Sequence, residues 1–161
     1  MLIKIRKIIT LTTFTCLLFL VGCDAVKSAV GIQQSKVWLE KVHFRAAENS
    51  NNTSPVKIHI VIAYKEALAA EIGKLTAADY FKKADRLKAD AGTDLDVFST
   101  DVLAGSTKVL DITPSQSSGF VALMFARYES PGDHRTNVSA DYEIQVDLAK
   151  NDLKVTPIKK G

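Results

Sequence analysis

Val56, Ile58, Ile60, Ile62 and Tyr64 fall at every second position, with Lys57 and His59 on the opposite parity. That period sends one row of side chains toward a core and the other toward solvent, the signature of a half-buried strand. A helix would split the same five residues between two opposite faces instead of lining them up on one. The stretch therefore fixes the class of structure that the rest must complete, because one strand is stable only with neighbours and a covering layer.

The same period recurs on both sides of it. From Ser35, the row Trp38, Glu40, Val42, Phe44 and Ala46 alternates with Val37, Leu39, Lys41, His43 and Arg45, predicting a strand with Trp38, Val42 and Phe44 inward. Between the two strands, Ala47–Pro55 contains Glu48, Asn49, Ser50, Asn51, Asn52, Thr53 and Ser54 and no large apolar side chain, so it reads as a loop. Later, Leu95, Val97 and Val102 predict a short strand and Thr107–Ile112 another. Gly119–Tyr128 begins apolar on both faces, as a central strand does. Ser130-Pro131-Gly132-Asp133 is a turn. Val138–Leu148 predicts one strand with Ala140, Tyr142, Ile144, Val146 and Leu148 inside. Ala149-Lys150-Asn151-Asp152 folds it back onto Leu153, Val155 and Ile158 as a terminal hairpin.

One segment departs from this rhythm. Thr76-Ala77-Ala78-Asp79 has the form of a capping box, and Tyr80, Phe81, Ala84 and Leu87 follow at helical spacing, with Gly92 as a stop. Whether Glu66–Ile72 adds a separate short helix stays open on the pattern alone. The sum is a mainly β chain: an antiparallel two-sheet β-sandwich of seven or eight strands with a helical insertion after the second strand.

The first 22 residues belong to a different system. Lys4, Arg6 and Lys7 precede Ile8–Val21, an apolar run of about fourteen residues, shorter than the about 20 needed to cross a bilayer. It ends at Leu20-Val21-Gly22-Cys23, which resembles the bacterial lipobox. There the cysteine thiol takes a diacylglyceryl group and becomes the first mature residue. The alternative is an ordinary cleaved signal with Cys23 present by chance. Residues 1–22 are thus expected to be a lipoprotein signal peptide, 23–34 a lipidated cysteine and tether, and 35–161 the sandwich domain. Losing Lys4, Arg6 and Lys7 would leave 18 basic residues against 18 acidic ones, so the domain has no charge bias toward nucleic acid. Cys16 leaves with the signal and Cys23 carries lipid, which removes thiols from disulfide, metal and nucleophile chemistry.

The remaining residue types are chemically quiet. His43, His59 and His134 lack the spacing of a zinc motif and read as solvated or edge histidines. Asp94 and Asp96 read as solvated strand-edge carboxylates, and Asp133-His134-Arg135 as an ordinary turn. No nucleophile elbow, P-loop or dinucleotide glycine pattern is present. Lys82, Lys83, Arg86 and Lys88 interleave with Asp79, Asp85 and Asp90, the composition of a solvated helix face. The chain is expected to be no enzyme, and to need no metal and no cofactor beyond the lipid on Cys23.

A lipobox followed by a small cysteine-free sandwich with a helix after its second strand resembles the outer-membrane lipoprotein of the type VI secretion membrane complex, TssJ. The similar stretches are Ser54–Ile60, Ala77–Phe81, Asp94–Val97, Leu103–Ser106 and Gly119–Tyr128, in that order. Ala104 stands where the family has a proline before glycine, and the arginine and tryptophan often found after the central strand are reduced to Arg135. The resemblance implies a transthyretin-like sandwich held by its lipid on the inner leaflet of the outer membrane. It implies a partner, the periplasmic part of an inner-membrane secretion protein (TssM), gripped through the loop between the first two strands. Here that loop supplies Glu48, Asn49, Ser50, Asn51, Asn52, Thr53 and Ser54, whose polar character suits an adaptable contact. Asp24 follows the cysteine, a position that favours inner-membrane retention in enteric bacteria, so the inner membrane is the alternative location. The competing readings are a periplasmic lipoprotein that binds a small ligand or glycan in the sandwich mouth, and a lipoprotein of another secretion system.

Overall fold

The computed structural model describes residues 39–139 and 142–158. Cys23, the tether and Trp38 lie outside the described residues. The order is β1 (Lys41–Ala46), a 3-10 turn (Ser50–Thr53), β2 (Val56–Ala63), α1 (Glu66–Ile72), α2 (Ala77–Ala91), a second 3-10 turn (Gly92–Asp94), β3 (Leu95–Val102), β4 (Thr107–Asp111), β5 (Val121–Arg127), β6 (Arg135–Asn137), β7 (Glu143–Leu148) and β8 (Leu153–Pro157). The strands form two four-stranded sheets, ordered β4-β1-β7-β8 and β3-β2-β5-β6.

Two cores follow from the parity of β2 and β5. Val56, Ile58, Ile60 and Ile62 of β2 join Ala122, Met124 and Ala126 of β5 against Val42, Phe44, Ile144, Val146 and Leu148 of the facing sheet. The opposite parity, Val61, Ala63, Leu123 and Phe125, is covered by Ile72, Ala77, Tyr80, Ala84 and Leu87 of the helices. This second covering explains why β5 reads as apolar throughout. Tyr80 stacks on Phe125 with ring centroids 4.1 Å apart and planes 10° from parallel. Burying a ring of that size stabilises by about 2–3 kcal/mol, so this pair is a main fastening of α2 to the sheet.

The helix begins as its sequence dictates. Thr76 Oγ1 accepts from the Asp79 N–H at 3.2 Å. Asp79 answers the Thr76 hydroxyl at 3.0 Å instead of a backbone N–H, which is a looser form of the capping box. That bond and Lys82 hold the Asp79 carboxyl below its usual range. Gly92, at φ 54° and ψ −121°, ends the helix in a backbone conformation open mainly to glycine. Glu66–Ile72 is a separate helix.

Four local expectations are corrected. β1 and β7 run parallel, Lys41 beside Glu143 through Ala46 beside Leu148, so one sheet is mixed while every other strand pair is antiparallel. No local pattern encodes that choice, because the two strands are brought together from opposite ends of the domain. Val138–Leu148 is not one strand: β6 precedes it, β7 starts at Glu143, and Tyr142 is exposed. Leu39 is fully buried although its parity in the alternation points outward, because the strand geometry starts only at Lys41. His59 and His134 are not solvated. His59 lies on an inner strand under α2, and the His134 side chain is 7% exposed.

Candidate docking surface at one pole of the sandwich

The connections β1–β2, β3–β4, β5–β6 and β7–β8 all lie at one pole. The register requires it: Val56 pairs with Val102, Lys57 with Arg127, Arg45 with Thr107 and Leu148 with Leu153. Lys41, where the described chain enters the sandwich, lies beside Glu143 and Asp111 at the other pole. The first described residues therefore enter the sandwich opposite the four turns.

The β1–β2 loop is tied into its surroundings. Asn51, Asn52 and Thr53 take φ values of 45°, 53° and 70°, a left-handed run that costs of order 1 kcal/mol or more per non-glycine residue unless neighbours impose it. The neighbours do. Asn51 is 3% exposed; its Nδ2 donates to the Pro55 carbonyl at 3.2 Å and its Oδ1 accepts from the Glu129 N–H at 2.7 Å. The Glu129 carboxylate takes Ser54 Oγ at 2.7 Å and Asn52 Nδ2 at 3.4 Å. The expected adaptable loop is thereby corrected. Glu48, Asn49, Asn52 and Thr53 are exposed, Ser54 is half-buried, and Ser50 and Asn51 are buried. Asparagine tolerates αL better than most residues, so the Asn-Asn pair was the available signal for such a turn.

The other turns brace the same pole. Gly105 donates its N–H to the Ala47 carbonyl at 3.1 Å, and Ala47 donates to Leu148 at 2.9 Å. Tyr128 donates its hydroxyl to the Asp152 carbonyl at 2.9 Å. Burial pushes the Tyr128 pKa up to about 12, so the hydroxyl stays a donor at any ordinary pH. Ser130 Oγ reaches the Asn151 carbonyl at 3.0 Å. His134 Nε2 lies 2.9 Å from the Ser130 carbonyl, with its ring 4.8 Å from that of Tyr128. Sequence reasoning missed Tyr128 and Glu129, whose roles depend on partners distant in the chain.

The remaining predicted polar residues are structural. Asp96 accepts from Tyr64 Oη at 2.5 Å and from Ser115 N at 2.7 Å, and Asp94 pairs with Lys65 at 2.7 Å. Arg135 donates to the carbonyls of Gly73 and Leu75, fixing the α1–α2 link, and pairs with Asp133 at 3.2 Å. On α2, Lys82 pairs with Asp79 and Arg86 with Asp90, as a solvated face should. Among the described residues no three His, Cys, Asp or Glu side chains are arranged to hold a metal ion, and no helix is long and apolar enough to cross a membrane. An open groove of about 520 Å³ runs between the start of α2 and the β5–β6 turn, along Phe81, Arg127, Tyr128 and Pro131.

Solved structures match this arrangement. The type VI secretion lipoprotein TssJ1 of Pseudomonas aeruginosa superposes with a TM-score of 0.56 at 15% identity, over 75% of this chain and 96% of that one. The fold is TssJ-like. A chain of a type VI membrane complex gives 0.56 at 16% identity, over 74% of this chain and 99% of that one. The structure described as the type VI secretion protein TssM C-terminal domain from EAEC gives 0.53 at 14%, over 74% and 100%. No family model matches the sequence, and no curated protein matches it in sequence. The mainly β sandwich with helices between β2 and β3 is thus the architecture of TssJ, reached here by a sequence sharing about one residue in seven with TssJ1.

Proposed function

We propose that this chain is a lipid-anchored structural component of a type VI secretion membrane complex, with no catalytic role. In this reading Cys23 carries the lipid, residues 1–22 are the signal peptide, and residues 24–34 are the tether. The loop Glu48–Ser54 docks the periplasmic part of a TssM-like inner-membrane protein, and the outer membrane's inner leaflet holds the anchor. The observation that carries it is the polarity of a TssJ-like fold. The chain enters at one pole, and a preset, braced loop stands at the other, where a tethered domain would face away from its membrane. A fixed loop suits a load-bearing contact, since little ordering is left to be done on binding.

The test is capture of the periplasmic domain of a TssM-like inner-membrane secretion protein from the same cell. Deleting residues 48–54 would confound it, because Ser50 and Asn51 are core. Asn49→Arg and Thr53→Gly change exposed positions only, and the latter relieves a φ of 70°. Capture by the unaltered chain and loss by both variants is the expected result. Equal capture by all three removes the loop from the interface.

A small-ligand reading has one observation behind it, the groove beside α2, whose volume is in the range of roughly 300–1,000 Å³ usual for ligand pockets. It lies outside the sandwich, not in its mouth. A thermal-shift screen of sugars and small acids tests it; a stabilising hit abolished by Phe81→Ala would favour it over docking.

A further inference from the structure

Leu103 is the most exposed large apolar residue among those described, at 60%. A lone exposed leucine ordinarily carries no message. This one sits on a closed turn that holds it outward. Ser106 donates both its N–H, at 3.2 Å, and its hydroxyl, at 2.6 Å, to the Leu103 carbonyl. Gly105, at φ +71°, completes the turn and lies under the Glu48 side chain, so close that a Cβ there would meet Glu48 Oε2 at 3.0 Å. The Glu48 carboxylate is exposed, and among the described residues neither a cation nor a hydrogen-bond donor reaches it. At the same pole another acid, Asp147, is met by Arg45 at 2.8 Å.

We infer that Leu103 and Glu48 form a single apolar-and-acidic anchor at the docking pole, and that the partner protein meets it with an apolar recess bordered by an arginine or lysine. The inference rests on the docking reading above and extends it from the β1–β2 loop to the β3–β4 turn. The chemistry is that of an interface hot spot: a preset apolar side chain to desolvate, beside an unpaired charge that fixes orientation and hastens encounter. Leu103 belongs to neither core, so the turn's two bonds to one carbonyl and the glycine beneath Glu48 hold an exposed side chain. They hold the pair in place for something outside the chain. The braced left-handed turn at Asn51–Thr53 lies along the same loop as Glu48, so the partner's footprint is continuous.

The experiment measures binding of the full, lipidated chain in nanodiscs to the purified periplasmic domain of a TssM-like inner-membrane secretion protein from the same cell, by calorimetry at two salt concentrations. The variants are Leu103→Ser, Leu103→Met, Glu48→Gln and Glu48→Lys. Each is first checked for an unchanged melting midpoint, as their exposure leads one to expect. Leu103→Ser should weaken binding about tenfold or more, chiefly by faster dissociation, and Leu103→Met should restore it. Glu48→Lys should weaken it as strongly, Glu48→Gln less, and both should lose the salt dependence of the unaltered chain. If the Leu103 and Glu48 variants bind like the unaltered chain while Asn49→Arg does not, the anchor is overturned and loop docking stands. If the unaltered chain does not bind, both fall together.

Discussion

Glu129 holds Ser54: its carboxylate accepts the Ser54 hydroxyl at 2.7 Å across 75 residues of sequence. The same carboxylate takes Asn52, and the same residue's N–H goes to Asn51. One residue after β5 thus dictates the shape of the β1–β2 loop. Glu129→Ala removes two acceptors from a partly exposed clasp and should cost about 0.5–1.5 kcal/mol in urea unfolding. The larger effect should be local, with amide hydrogen exchange rising at residues 50–54 while the strands keep their protection. Exchange unchanged at those amides would show the loop to be set by its own backbone.

Asn51 separates the cost of geometry from the cost of lost bonds. Asn51→Gly keeps the left-handed backbone free of strain but abandons Pro55 O and Glu129 N. Asn51→Ala abandons the same groups and keeps a Cβ at φ 45°. Losing two partly buried partners should cost about 2 kcal/mol, of which glycine recovers about 1 kcal/mol by relieving the left-handed backbone and alanine none. Equilibrium denaturation measures both. An alanine variant as stable as the glycine variant would remove strain from the account.

His59 makes α2 docking sensitive to acid. Its Nδ1 lies 3.0 Å from Tyr80 Oη, and Phe81 packs edge-on at 4.9 Å between ring centroids. Burial lowers its pKa from 6.5, with Lys57 adding to the effect and Asp101 and Asp85 opposing it. A depressed folded-state pKa means that the unfolded chain binds the proton first. The contribution is therefore complete above about pH 6.5 and is lost as pH falls through the folded value. Melting between about pH 7.5 and about pH 5.5 should show a fall in stability that is shallower in His59→Asn, whose amide oxygen can still accept from Tyr80. An identical slope in the variant would remove His59 as the source of the dependence.

What the sequence made legible follows from where the determining interactions lie. The strands around Ile60 and Met124, the Thr76 cap and the Gly92 stop each depend on neighbours within a few residues, and each stands where the periodicity puts it. β6 was missed because Arg135-Thr136-Asn137 is three polar residues with no alternation, defined only by its pairing to Leu123–Phe125. The parallel pairing of β1 and β7, the burial of Asn51 and the clasp of Glu129 were missed for the same reason. Each joins residues distant in sequence, and a polar side chain looks solvated until its partner arrives. The loop 48–54 was legible as a polar connection, but its bracing by Glu129 was not.

Attachment is the prediction on which the docking reading depends most. Among the described residues no helix can cross a bilayer, so the proposed anchor is the acyl chains on Cys23, each buried methylene contributing about 0.8 kcal/mol. Cys23→Ala should abolish incorporation of an alkyne fatty acid and deplete the protein from the outer-membrane fraction, while the sandwich keeps its melting midpoint. Asp24→Ser reports which membrane is used. A shift from the inner to the outer fraction in that variant would mean that Asp24 retains the native protein at the inner membrane, and no shift from the outer fraction would mean that it does not. If Cys23→Ala stays with the outer membrane in native amount, the lipid is not the means of attachment, and the pole where Lys41 enters loses its meaning as the membrane-proximal end.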